Sequence, residues 1–119
     1  MATVYIVNEP DESRATEGRA TYDTNPARAF GRIEFVFPAG MVPVRNPERA
    51  IERAHEALAN ATADDFLVWA GGDPLGMIIV ASILADKTDG NFTYLKWDRA
   101  ARAYAPVPLE MFDNGEEHE

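Results

Sequence analysis

Residues 66–87, FLVWAGGDPLGMIIVASILADK, set a short apolar run, two glycines, an Asp-Pro pair and a long apolar run in direct succession. The first run is dense in aromatic and branched side chains without polar alternation, the pattern of a central strand covered on both faces over residues 66–70. Asp73 is placed to accept from the first free amides of a helix, and Pro74 falls at the first helical position, where no donor is lost. The helix so opened, residues 74–87, is apolar nearly all round. At about 14 residues it is ~20 Å long, too short to cross a bilayer, so it reads as a core helix that the fold or a partner must cover. Strand, glycine turn and buried helix together predict an α/β sheet, whose ligands settle where strands end and helices begin.

The rest of the chain supplies the other elements of such a sheet. Residues 3–7 (TVYIV) form a second doubly covered strand. Residues 31–37 (GRIEFVF) alternate, with Ile33, Phe35 and Phe37 on one side and Arg32, Glu34 and Val36 on a partly wet other. Between them a polar stretch with Pro10, Gly18 and Pro26 predicts a long connection, with one helical turn at Asn25–Ala29 capped by Asn25. Asn46-Pro47-Glu48 opens a surface helix whose apolar stripe is Ile51, Ala54, Leu58 and Ala61. Residues 92–97 (FTYLKW) return as a strand, residues 98–102 turn tightly, and Pro106 and Pro108 confine residues 103–109 to a sheet edge.

The expected architecture is a single three-layer α/β domain over residues 1–112, Rossmann-like in its layering, followed by an acidic flexible tail over residues 113–119. Its sheet is mainly parallel, built on a βαβαβ unit, with an additional N-terminal strand of undetermined position and a C-terminal antiparallel edge hairpin. If the first and third strands are parallel, their ends at Asn8 and Gly71 share one rim.

Composition narrows the partners. Twenty acids against eleven bases give a formal net charge of −9, which repels nucleic acid and anionic membranes. The absence of cysteine excludes disulfides, thiolate metal sites and a cysteine nucleophile, and fits a reducing cytoplasm. The N-terminus carries neither a basic leader nor an apolar run long enough for a signal peptide or a membrane span.

Two regions carry candidate chemistry. At residues 71–76, Gly71, Gly72 and Gly76 allow a ligand to approach the backbone, and the helix behind them offers amide donors and a positive dipole end. The turn lacks both the full dinucleotide glycine pattern and a phosphate-loop lysine. The charge on Asp73 repels phosphate, so a ribose hydroxyl, an amine or a base edge suits it better; equally, Asp73 serves as the helix cap alone. With Asn8 on the same rim, Arg14, Arg19 and Arg28 of the long connection would close over a nucleotide-like ligand, although Glu12, Glu17 and Asp23 interleave them as in a solvated loop. The second region is the hairpin, where Lys96, Trp97, Arg99, Arg102 and Tyr104 are the residue types that anchor protein interfaces. Strand alternation by itself would instead send Leu95 and Trp97 into the core.

Signals for catalysis are sparse. His55 reads as a packed boundary residue beside Ile51 and Leu58, Ser13 and Ser82 lack a neighbouring histidine, and no spacing suggests a closed metal site. No catalytic residue, metal or cofactor is assigned; Asp73 with Asp98 or Asp23 is the one pairing of carboxylates the rim would offer for proton transfer or a cation.

The strand ending in Gly71-Gly72-Asp73-Pro74, the apolar helix after it, the string LKWDR at residues 95–99 and Tyr104-Ala105-Pro106 resemble a group of small uncharacterised bacteriophage and prophage proteins. The similarity covers most of the chain, TVYIVN and FGRIEFVF included, and is weakest in the polar connection. It implies a phage accessory protein acting inside the host bacterial cell and carries over no catalytic residue. The leading expectation is therefore a non-catalytic accessory protein, cytoplasmic in the host, that binds a host or phage protein or pairs with itself through an exposed edge or the apolar helix. The alternative is a binder of a small nucleotide-like ligand at residues 71–76, and a third is a hydrolase or transferase at the same rim.

Overall fold

In the computed structural model, residues 2–10 and 24–112 are described. β1 (Thr3–Asn8) lies inside the sheet, flanked by β2 (Arg32–Phe37) and β3 (Phe66–Val68); β4 (Asn91–Asp98) and β5 (Ala103–Glu110) complete the order β2-β1-β3-β4-β5. The first four strands are parallel and β5 runs antiparallel to β4. The fold is thus a single small α/β domain with a mostly parallel five-stranded sheet and an antiparallel edge. The N-terminal strand takes the place the sequence left open, and the chain turns outward from β1 to β2, then back across β1 to β3.

That reversal decides which face each connection covers. The steps from β2 to β3, through α1 (Pro47–Ala57), and from β3 to β4, through α2 (Pro74–Thr88), run the same way along the sheet. Right-handed crossovers then put both helices on one face and the β1–β2 connection on the other. Accordingly Ala50, Ala54, Leu58, Ile79, Val80 and Leu84 pack with Tyr5, Val7, Leu67 and Phe92. On the opposite face Val4, Ile6, Val68 and Leu95 meet Ala27, Phe30 and Tyr104. Among the described residues the layer there holds a 3-10 turn, Asn25–Ala29, with Pro26 near its start and Ala27 buried. Thr24, not Asn25, stands at its N-cap position, and the Thr24 side chain makes no capping hydrogen bond.

Both helix starts behave as their sequences dictate. The Asn46 side chain accepts from Arg49 N at 3.2 Å with Pro47 following, and Asp73 accepts from Leu75 N with Pro74 following. α1 is rotated from the expected stripe: Ile51 is 42% exposed, and the side turned inward is Ala50, Ala54 and Ala57 with Leu58. Three alanines let the helix lie close enough for Arg53 Nε to donate to Val36 O at 2.8 Å. α2 is also two-sided despite its uniform apolarity, with Ile78 61% exposed and Ser82 at the surface.

β5 shows how an edge strand carries two prolines. Met111 N donates to Gly90 O, which fixes the hydrogen-bonded pairs of the ladder as those in step with residues 90 and 111. Pro106 and Pro108, opposite Leu95 and Thr93, fall in the alternate pairs, so the amides they lack would have faced outward. An incoming strand would find no donor at either position, which blunts this edge against strand addition.

Candidate functional site

The rim at the carboxyl ends of the strands gathers Asn8, Gly71, Gly72 and Asp73. Parallel pairing of β1 with β3 brings Asn8 to Gly72, so close that a Cβ on Gly72 would lie 2.6 Å from Asn8 Oδ1. Gly71 and Gly72 both hold positive φ, +92° and +97°, the backbone region that glycine enters without strain. Asp73 is fully engaged: Oδ1 accepts from Leu75 N at 3.1 Å and Oδ2 from Val44 N at 2.8 Å. It caps α2 and ties the 3-10 turn Pro43–Arg45 to the helix start, and its charge occupies the positive end of the helix. Gly76 faces inward, where a Cβ would come within 3.3 Å of Phe37, Pro43 and Val7, so close packing against the sheet accounts for its lack of a side chain. Asn8 Nδ2 donates to Met41 O at 3.3 Å, whereas the buried Asn8 Oδ1 has no partner among the described residues. Arg28 is an exposed residue of the turn on the face opposite the helices, its Nε donating to Asn25 Oδ1 at 3.4 Å; Arg14 and Arg19 lie outside the described residues.

The hairpin tip is held by its own aspartate. Asp98 Oδ1 accepts from Ala100 N and Ala101 N, and Arg102 adopts a left-handed conformation at φ +53° to re-enter β5. Trp97 and Tyr104 face one another across the ladder, with ring centroids 5.0 Å apart and planes 69° apart. Tyr104 is the buried member; Trp97 is 39% exposed and stands on it edge to face. Lys96, Arg99 and Arg102 are exposed in the same hairpin.

The carboxylates considered as a pair do not offer free oxygens in common: those of Asp73, and Oδ1 of Asp98, accept from backbone amides, and Asp23 is outside the described residues. Among the described residues no group of three or more His, Asp and Glu is placed to hold a metal ion. His55 is exposed on α1.

A third site lies at the opposite end of the sheet. A cleft of about 310 Å³ opens between the starts of β1 and β2, the end of α1 and the loop before β3, lined by Tyr5, Arg32, Glu34, Glu56, Asn60 and Asp65 among others. Asp65, only 6% exposed, braces it: Oδ1 accepts from Thr3 N at 2.9 Å and Oδ2 from Thr62 N at 2.8 Å. Burial, and then the charges of Asp65 and Glu34, hold the Tyr5 hydroxyl above its ordinary pKa, with Arg32 opposing. Sequence reading missed this cleft. The Thr62-x-x-Asp65 spacing is a local signal for a side chain bonding its own loop, but Glu34 faces Tyr5 only through the β1–β2 register, which no short motif encodes.

The model of the phage Pam3 gp32-like protein family matches residues 2–111, a span that includes every described strand and helix. The chain belongs to that family. Comparison with curated proteins and with solved structures gives no match. The resemblance carried by the GGDP turn, LKWDR and Tyr104-Ala105-Pro106 thus led to a phage protein. None of the described helices of this Pam3 gp32-like protein is long and apolar enough to cross a membrane.

Two expectations arise here. Asp73→Ala removes a helix cap and the clamp on Val44, and should lower stability by roughly 1–2 kcal/mol while leaving the fold intact, as read by urea denaturation. A loss within error of zero would mean that water replaces the carboxylate at both amides. Tyr5 and, through burial, Tyr94 have raised folded-state pKa values. A raised pKa makes the folded state the tighter proton binder, so stability is fully present below the ordinary tyrosine pKa and is lost as pH rises through the folded values. Thermal melts should therefore fall above pH 10 or so, and Tyr5→Phe/Tyr94→Phe should flatten that decline.

Proposed function

We propose that this phage protein is a non-catalytic accessory protein that acts inside the host bacterial cell by binding a host or phage protein through the tip of the β4–β5 hairpin. The observation that carries this reading is Trp97, 39% exposed yet fixed in place by its edge-to-face packing on buried Tyr104. A large ring held in one orientation contributes contact area with little conformational entropy left to lose, which is what an interface anchor requires. Lys96, Arg99 and Arg102 are exposed at the tip of the same hairpin against the one carboxylate of Asp98, in a chain whose net charge is −9, so the tip is a local basic exception suited to an acidic, partly apolar surface. The prolines of β5 argue that the partner docks on side chains and does not extend the sheet.

The test compares capture by the wild-type chain with capture by Trp97→Ala and by Arg99→Glu/Arg102→Glu, each checked for an unchanged circular dichroism spectrum. A protein recovered in stoichiometric amount by wild type and lost by both variants supports the reading, and so does a self-associated form lost in the same way. Recovery of that partner by both variants refutes it.

A second reading rests on Asn8 Oδ1, a buried acceptor beside Gly72 without a partner among the described residues. An acceptor left empty at the rim favours a ligand that donates a hydrogen bond there, such as the ribose hydroxyl or amine of a small nucleotide-like molecule, with Gly71 and Gly72 beside it. Native mass spectrometry of protein purified from its host should then show a bound small molecule that Asn8→Ala fails to retain. Ligand-free wild-type protein argues against it.

A further inference from the structure

We infer that the cleft at the amino ends of β1 and β2 is a binding site for a protonated amine or guanidinium group. Tyr5 is 3% exposed and lines this cleft, and no hydrogen bond among the described residues engages its hydroxyl. A hydroxyl oxygen that opens into a cleft is available to accept from a ligand that displaces its water. The charges around it select the sign of that ligand. Glu34, Glu56 and Asp65 line the cleft against the single guanidinium of Arg32. Arg32 meets Glu34 only at 4.0 Å and Arg53 meets Glu56 only at 4.0 Å, so neither glutamate is consumed by a close pair. Asp65 spends its oxygens on Thr3 N and Thr62 N, and contributes field more than contact.

The same observations favour an organic cation over a metal ion. With Asp65 saturated, too few free carboxylate oxygens converge to replace the hydration shell of a divalent ion, and about 310 Å³ is far more room than an ion fills. The volume suits an alkylammonium or guanidinium group on a short chain, lying on Ala57, donating to the Tyr5 hydroxyl oxygen and facing Glu34 and Glu56. Two sources offer that chemistry: a free diamine, or the lysine or arginine side chain of another protein. This site is at the opposite end of the sheet from the hairpin tip and does not depend on it.

The experiment is a titration followed by two-dimensional amide NMR at physiological ionic strength, with 1,4-diaminobutane in one arm, N-acetylarginine amide in the other and inorganic phosphate as the anionic control. Saturable shifts at Thr3, Tyr5, Ala57, Asn60 and Thr62, without shifts for phosphate, are the expected result. The diamine binding more tightly points to a free small cation, the arginine derivative to a side chain. Tyr5→Phe keeps the ring and should weaken binding by about tenfold, the equivalent of one charge-assisted hydrogen bond. Glu34→Gln, at a half-exposed position where folding is not at stake, should weaken it by a similar factor. Absence of saturable shifts for both cations up to tens of millimolar overturns the inference, as does binding that neither substitution changes.

Discussion

Replacing Phe37 by alanine is expected to lower the free energy of unfolding by about 3–5 kcal/mol, read as a fall in the urea midpoint at unchanged slope. Phe37 ends β2 with no exposed surface and is the bulkiest of the fully buried side chains. Its ring reaches the first turn of α2, where Cε2 lies 3.1 Å from the point a Gly76 Cβ would occupy. The deletion therefore removes buried apolar area and leaves a void beneath the helix that carries the rim. Gly76→Ala fails for the opposite reason, crowding Phe37, Pro43 and Val7, at roughly 1–3 kcal/mol. Combined, the two should cost less than their sum, because the methyl added at Gly76 enters space that Phe37 vacates. Strict additivity would show that the ring and the helix are not packed as described.

The elements that were legible in the sequence are those whose causes are local. Asn46 and Asp73 bond amides two or three residues away, and each is followed by proline, so the helix starts are written in consecutive letters. The two prolines of β5 identify an edge because they remove donors wherever they sit. Ile51 was misplaced because Ala50 and Ile51 lie about 100° apart on one helix, and choosing between the faces they mark needs the position of the sheet. Bulk favoured isoleucine; proximity to Val36 selected the alanines. The rim was readable in outline, since parallel strands end together and Asn8 does meet Gly72. Whether its glycines leave room for a ligand was not, because the occupancy of Asp73 depends on Val44, distant in sequence. The cleft was illegible for the same reason: Tyr5, Glu34 and Asp65 come from three segments joined only by register and a crossover.

Asp65→Ala should cost more than Asp73→Ala, at about 3 kcal/mol or more, because the Asp65 carboxylate satisfies two backbone amides from a position only 6% exposed. Thr3 N is buried at the start of β1, and Thr62 N lies in the loop that delivers the chain from α1 to β3. Alanine leaves both donors unpaired, and Thr62 Oγ1 loses its 3.5 Å contact as well. Asp65→Asn separates charge from geometry. The amide retains one oxygen for Thr3 N but turns an NH₂ group toward Thr62 N, setting donor against donor, so the variant should recover less than half of the loss. Amide hydrogen exchange locates the damage: protection of Thr3 and Thr62 should fall in both variants, and that of α2 only as far as global stability falls. Equal stability of Asp65→Asn and wild type would mean that the Thr62 amide is satisfied by water and that Asp65 holds β1 alone.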